Sequence, residues 1–468
     1  MRKPIAGFVV LLVMAASGLP AQESNLSGAA MSLEAARTLA LVNSRNLARY
    51  NLTIQSNLLA ERSQFYSELP QLGRLSINAG ANLWPSDMFQ WSDESYTEDY
   101  FKRSLSAGIS IGSVSYTIWD GGKDAIRREI NSLTTEMSRQ DALSEYYSVL
   151  ASVDSAYYNV LEAIAALEAA EGSLATSALS LSMAEIRYQS GMISDSTYLQ
   201  ALADNASRET SRNQSRRDLT VARLRLKDLL GIDELPDLEP VDFNTQEELI
   251  SLLVNIDDSK FEKLFNSFWT RVQANNPTLI KSGMNSARSD LNTNLSSRDY
   301  YPTISASLGL PGLSTGYNRT NDNFELRTSG GSFSISASIP IEIWKTKNSV
   351  DRQKNSNEMT SMEYAGSVNS MSTDLYIALL DLISQAGLIL SSRRALDYAQ
   401  KHFDYVLELY RMSRNSPSDL SDAESLVRSN RNQLNRYQYS FLNGLSKLRS
   451  MGAFNSEDEI MAMIFSIK

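Results

Sequence analysis

Asn43-Ser44-Arg45-Asn46-Leu47 opens a helical stretch that closes at Pro70, and Asn275-Asn276-Pro277-Thr278-Leu279 opens another that closes at Pro302. Motif and proline are offset by the same 232 residues (43 to 275, 70 to 302), so neither stretch gains or loses a residue between them. After each proline come alternating apolar and polar residues, then Ile118-Trp119 or Ile343-Trp344, then a very long helical pattern. A chain written twice from one helix–hairpin–helix unit has a repeat architecture, and that governs the fold ahead of any single residue.

The prolines map the rest of the organisation. None occurs between Pro85 and Pro236 or between Pro340 and Pro417, and proline breaks helix interiors. Within the first gap Ile126, Ile130, Leu133, Met137, Leu143, Tyr147, Leu150, Val153, Tyr157 and Val160 recur mostly at three- and four-residue steps. The pattern predicts one helix over 123–189, a rod of about 100 Å that needs partner helices and so implies coiled-coil packing. A second helix is predicted over 197–230. Its polar middle, 207–218, carries Arg208, Arg212, Arg216 and Arg217 and reads as a solvated face. In the turn between them, 188–196, Gly191 suits a left-handed helix end and Ser194 or Asp195 can cap the second helix. The second copy predicts a helix from about 350 to 412, a turn at 413–416, and a helix from 417 to about 451, with Ser416 and Pro417 at the N-cap and first helical positions.

Strands are predicted between the helices. Leu75, Ile77, Ala79, Ala81 and Leu83 alternate with small polar residues, as do Ile304, Ala306, Leu308 and Leu310, and Phe333, Ile335, Ala337, Ile339, Ile341 and Ile343. Over 105–118 the phase slips from odd (Leu105, Ala107, Ile109, Ile111) to even (Val114, Tyr116, Ile118), which predicts a bulge near Gly112-Ser113. Each copy thus supplies one hairpin, at about 72–118 and 303–343, with loops at 84–102 and 312–331. Strands of about ten residues with one apolar and one small polar face suit a transmembrane barrel wall, and Trp119 and Trp344, at matched strand ends, suit an interfacial belt. Four strands alone would leave raw edges in lipid, so several chains must close one barrel; three would give twelve strands around a water-filled lumen. A soluble two-layer sheet is the alternative.

Composition narrows the function. The chain has 468 residues, 42% apolar and 21% charged, enough for a large core. A net charge of −10 argues against nucleic acid. There is no Cys and a single His, His402, so thiolate metal sites, zinc triads and Ser-His-Asp chemistry have almost nothing to work with, and no cofactor or catalytic residue is expected. Arg2 and Lys3 before an apolar run, then Leu19-Pro20-Ala21, predict a signal peptide over 1–21, a short anchor being the alternative. No later stretch reaches 18 uninterrupted apolar residues, so no membrane-spanning helix is predicted.

In order and duplication these features resemble a TolC-type outer-membrane efflux protein. The likeness runs from roughly Leu33 to Gly452. It is carried by Leu33-Glu34-Ala35-Ala36, Asn43–Leu47 with its copy, Ile118-Trp119-Asp120-Gly121-Gly122, Arg187-Tyr188-Gln189-Ser190-Gly191-Met192 and Leu229-Leu230-Gly231. The resemblance implies an α+β membrane protein. It would be a homotrimer whose chains each give four strands to a twelve-stranded β-barrel, continued by a long α-helical coiled-coil barrel in the periplasm. The chain would divide into repeat 1 (22–231), an equatorial linker (232–267), repeat 2 (268–452) and a C-terminal tail (453–468). The implied function is a passive export duct in the outer membrane, serving a tripartite efflux or type I secretion system with a periplasmic adaptor (membrane fusion) protein and an inner-membrane pump. A non-conducting structural or adhesive coiled-coil protein is the competing reading.

The resemblance also assigns sites. The constricting aspartates of the periplasmic gate fall on Asp419 and Asp422, the gate tyrosine on Tyr410, and the gate arginine on Asn415, beside which Arg414 could substitute. The adaptor-contacting tips would be Ser190-Gly191-Met192 and Met412-Ser413-Arg414. Three residues apart, Asp419 and Asp422 share a helix face, and threefold symmetry would make them two carboxylate rings that attract cations and raise one another's pKa values. An acidic first helical turn, with Asp419 three residues after Ser416 in a capping box, explains the same residues.

Overall fold

The computed structural model describes residues 30–80, 106–241, 243–318, 323–412 and 414–466. The predicted signal peptide, strand residues 81–83 and 105, the loop at 84–102 and the tip residue Ser413 lie outside the described residues. The chain forms two compact units. One comprises the described parts of Met1–Leu52, Ser138–Ser282 and Tyr364–Lys468, the other those of Thr53–Met137 and Gly283–Glu363.

The first unit is helical. The helices that enter it, wholly or in part, are α1 (Leu33–Asn43), α2 (Arg45–Ser67), α3 (Lys123–Gln189), α4 (Asp195–Leu230), α5 (Glu247–Val254), α6 (Asp258–Asn275), α7 (Pro277–Ser297), α8 (Ile343–Arg411), α9 (Pro417–Gly452) and α10 (Glu457–Phe465). The proline-free α3 and α8 run 67 and 69 residues without a break. Val153, Tyr157, Leu226, Leu249, Leu264, Phe268, Leu379, Leu382, Leu445 and Ile460 meet in one apolar core. By composition α8 has a stretch apolar enough to cross a membrane, but its Leu375, Leu379, Leu382, Ala386 and Ile389 belong to that core. Residues 267 and 268 fall inside α6, whose Phe261, Leu264, Phe268 and Val272 bury one continuous stripe.

Short breaks separate α1 from α2 and α6 from α7 in the same way. Ser44 (φ −65°, ψ 109°) and Asn276 (φ −66°, ψ 118°) are both extended. Each caps the next helix: Leu47 N–H donates to Ser44 Oγ (3.3 Å) and Leu279 N–H to Asn276 Oδ1 (3.0 Å). For Asn276 the following Pro277 also disfavours helical backbone.

A buried charge cluster ties four helices together. Arg37 of α1 donates from Nε and Nη2 to the two carboxylate oxygens of the fully buried Asp154 of α3 (2.6 and 2.7 Å). Its Nη2 also reaches Glu457 of α10 (2.7 Å), and the Ser446 hydroxyl of α9 donates to Asp154. Burial works against the Arg37 charge, but hydrogen bonds to Asp154 and Glu457 outweigh it and raise the pKa.

The second unit carries eight strand segments: β1 (Gln71–Leu72), β2 (Leu75–Gly80), β3 (Ser106–Ile111), β4 (Ser113–Trp119), β5 (Thr303–Gly309), β6 (Gly312–Asn318), β7 (Asn323–Ser329) and β8 (Ser332–Ser338). They form two antiparallel four-stranded sheets, ordered β1-β4-β5-β8 and β2-β3-β6-β7. Four chain paths therefore each run through both tiers.

The strand wall departs from the sequence expectation in three respects. Residues 312–331 are not a loop: 312–318 form β6 and 323–329 form β7, and Gly312 and Gly316 hid the alternation of Leu313, Thr315 and Tyr317. The last strand stops at Ser338 rather than 343, because its partner β5 begins at Thr303 behind Pro302 and the ladder has nothing further to pair with. Ile343 and Trp344 instead start α8, seven residues before the predicted position 350, so Trp344 is helical while Trp119 ends β4.

The predicted bulge near Gly112-Ser113 is the third departure. Leu72 pairs Val114 and Leu75 pairs Ile111; Ser113 pairs Gly309 and Ser110 pairs Gly312. Each step counts three residues on both strands, so no residue is inserted near Gly112. What changes is the hydrogen-bonding edge. Gly73 N–H donates to Ser113 O (2.7 Å), and at the very next pair Gly112 N–H donates to Arg74 O (3.1 Å). A regular ladder would turn alternate residues to opposite edges. Gly112 instead points its N–H at one neighbour and its C=O at the other, where Leu310 N–H donates to it (3.3 Å). For L-residues the edge that a residue bonds fixes the face its side chain takes. The swivel therefore cancels the phase slip. Ser113 and Ser115 in one tier share a face with Ser76 and Ser110 in the other, and Leu72 and Val114 share the opposite face with Leu75 and Ile109.

Candidate functional site

The predicted site residues gather at the ends of two helical hairpins, α3–α4 and α8–α9. The first turn is built by glycine. Gly191 takes φ +71°, which lets Met192 N–H donate back to Arg187 O (2.8 Å) and close the helix end. Ser194 then caps α4, accepting from Thr197 N–H (3.3 Å). Tyr188 and Tyr198 stack across the hairpin at 4.8 Å, and a hydrogen bond to Asp195 raises the Tyr188 pKa. Ser190 and Gly191 are exposed and Met192 is 75% exposed, so this tip offers an apolar side chain to solvent.

The second turn ends α8 without glycine. Arg414 N–H donates to Leu409 O (2.9 Å), and Met412 is 61% exposed. Ser416 caps α9 in a full capping box. Asp419 N–H donates to Ser416 Oγ (3.2 Å), while the Ser416 N–H and hydroxyl donate to Asp419 Oδ2 (2.9 and 2.8 Å). These donors hold the Asp419 carboxyl below its ordinary pKa. Asp419 and Asp422 are both exposed, whereas Leu420 and Ala423, on the other side of the helix, are buried.

Tyr410 is buried, with 1% of its surface exposed, in a small core with Val406, Leu420 and Ala423. Its hydroxyl donates to Ser180 O of α3 (3.3 Å). The Arg187 guanidinium lies 4.8 Å from its ring centre and donates to its backbone carbonyl (3.0 Å). The gate tyrosine of the resemblance thus joins one hairpin to the other. Asn415 is half-buried; Arg414 is exposed, and its guanidinium has no partner among the described residues.

The second junction was not foreseen. Arg208, read from its polar surroundings as solvated, is 8% exposed. From α4 it donates to Ser421 Oγ (2.9 Å) and Ser425 Oγ (2.8 Å) of α9, and pairs with Glu424 (3.3 Å) and with Asp204 one turn back (3.2 Å). The small serines opposite leave room for the guanidinium. A readable signal existed in the spacing of Ala201, Asp204, Asn205 and Arg208, which places the arginine on the packed stripe.

The sequence matches the outer membrane efflux protein family over residues 21–232 and 270–452, and the chain belongs to that family. No curated protein matches it significantly. Among solved structures, CusC is similar at 18% identity and a TM-score of 0.70, over 90% of this chain and 91% of that one. The Campylobacter jejuni CmeC outer membrane channel is similar at 14% identity and 0.69, over 93% and 89%. The open state of the Neisseria gonorrhoeae MtrE outer membrane channel is similar at 18% identity and 0.64, over 90% and 88%. The fold is that of TolC-family channels, which are not enzymes, and the general role of this chain is that of an outer-membrane efflux channel.

Proposed function

We propose that three copies of this chain close a twelve-stranded barrel in the outer membrane, with their long helices forming a coiled-coil tunnel in the periplasm. The observation that carries the reading is the strand wall itself. Among the described residues, β1 and β2 on one side, and β7 and β8 on the other, pair along one edge only. Ile77, Leu326, Phe333 and Ile335 lie 63–74% exposed on one face. Such an apolar face suits lipid rather than water, and open strand edges are untenable in lipid unless sibling chains pair with them. In this reading residues 1–21 are the signal peptide, 22–231 and 268–452 are duplicated units, and 232–267 with 453–468 form the equatorial segments.

The duct is passive and its work is done by partners. A periplasmic adaptor protein would grip the exposed tips around Ser190, Gly191, Met192, Met412, Ser413 and Arg414, coupling the duct to an inner-membrane pump of a tripartite efflux or type I secretion system. The resting gate lies at the hairpin ends. Asp419 and Asp422 would form carboxylate rings there, and their outward exposure beside the buried Tyr410 supports that placement. In place of a lock at Asn415, the hairpins are held by Arg187 on Tyr410 and by Arg208 on α9.

Conductance of the purified protein in a planar lipid bilayer tests the reading. Small, cation-preferring currents are expected at rest, rising when Asp419 and Asp422 are both replaced by Ala. A monomer that stays soluble without detergent and carries no current would overturn the duct, and anion preference at rest would overturn the carboxylate rings.

A further inference from the structure

The swivel at Gly112 makes it possible to follow one face of the wall across both tiers, because residues directly opposite one another share a face. Nearly all of that face is small and uncharged. Its rows read Gln71–Ser115–Ser307–Ser334 in one tier and Ser76–Ser110–Gly312–Ser329 in the other. Hydroxyls pair directly across strands at Ser76–Ser110 (2.7 Å), Ser305–Ser336 (3.0 Å) and Ser307–Ser334 (2.8 Å). Such a face suits a water-filled lumen, and the opposite one suits lipid.

Two charges interrupt it among the described strand residues. Arg327 of β7 stands in the row Asn78–Gly108–Ser314–Arg327, and Glu325 in the next row, Gly80–Ser106–Gly316–Glu325. Every cross-strand neighbour in these rows is Gly, Ser or Asn, so none is long enough to cover the guanidinium. Arg327 is exposed and has no ion pair among the described residues. An uncompensated cation beside lipid would be costly, whereas beside a lumen it acts on whatever passes.

We propose that Arg327 is a charge-selecting residue of the barrel lumen, favouring anionic solutes, with Glu325 acting in the opposite sense one row away. This rests on the trimeric duct proposed above, in which each residue becomes a ring of three. The two rings would sort solutes by charge in the strand wall itself, separately from any selection at the hairpin ends.

Reversal potentials under a KCl gradient test it, measured in the D419A/D422A background so that the tip carboxylates are absent. R327A should shift the permeability ratio toward cations by about two- to fivefold, and E325A should shift it toward anions. The chain has no cysteine, so single cysteines report orientation without background. In proteoliposomes R327C should react with a water-soluble sulfonate methanethiosulfonate, and L326C should not. Unshifted potentials in conducting channels, or reaction of L326C instead of R327C, would overturn the proposal alone. A protein that conducts nothing would overturn the duct and the selecting ring with it.

Discussion

Arg187 holds Tyr410 twice, lying 4.8 Å from the centre of its ring and donating to its backbone carbonyl at 3.0 Å. One side chain thereby fixes both the packing and the backbone of a residue 223 positions away on the other hairpin. R187A should lower stability by about 1–2 kcal/mol and raise resting conductance. R187K keeps the charge but not the planar fork, and should fall between. Thermal unfolding and bilayer recording measure the two effects, and lost stability without a change in resting current would separate this contact from gating.

The Arg208–Glu424 pair should behave as a buried ion pair. Its side chains are 9% and 12% exposed. R208A would leave Glu424 with Arg428, at 3.9 Å, as its ion-pair partner among the described residues, and should cost about 3 kcal/mol in chemical denaturation. Replacing both partners by Met should recover much of that loss, because the penalty comes from stranding one charge. A double variant no better than R208A would show that the serine contacts, not the ion pair, hold the hairpins.

Acid should loosen the first turn of α9. The Asp419 carboxyl is held below its ordinary value by the Ser416 N–H and hydroxyl. A depressed native pKa contributes stability that is complete above the unfolded value of about 4 and is lost as pH falls through the native one. S416A should cost about 1 kcal/mol at neutral pH and flatten that acid dependence, read by amide exchange in α9. In an assembled ring the carboxylates repel one another, so an Asp419 pKa raised rather than lowered in the trimer would mark ring formation.

Gly73 should be intolerant of any side chain. A Cβ there would sit 2.7 Å from Ser113 N and 2.8 Å from Ser113 O, which are backbone atoms within a ladder. Gly80 has open space on the same path. G73A should abolish the assembled, detergent-extracted form on native gels while G80A leaves it intact; equal behaviour of the two would remove the steric argument for the swivel.

The helices were legible because proline is absent over long spans and apolar residues keep their period, so 123–189 could be read directly. The capping of α9 was legible in Ser416, Pro417 and Asp419. The wall was harder. Glycine and serine carry no hydropathy signal, so β6 and β7 looked like a loop, and the phase slip near Gly112 looked like an insertion. Only backbone hydrogen bonds distinguish an added residue from a rotated one. Arg208 was misread because a polar neighbourhood says nothing about which neighbour a guanidinium will meet in three dimensions.

Arg37 and Glu457 are 420 residues apart, yet they meet in the charge cluster around Asp154. Until residue 457 has been synthesised, that cation lacks one of its carboxylates and the junction of α1, α3, α9 and α10 stays unfinished. Closing this junction therefore depends on a residue made long after Arg37, however early the helices themselves form. Removing the Glu457 carboxylate would be felt first as slow maturation and exposure to proteases.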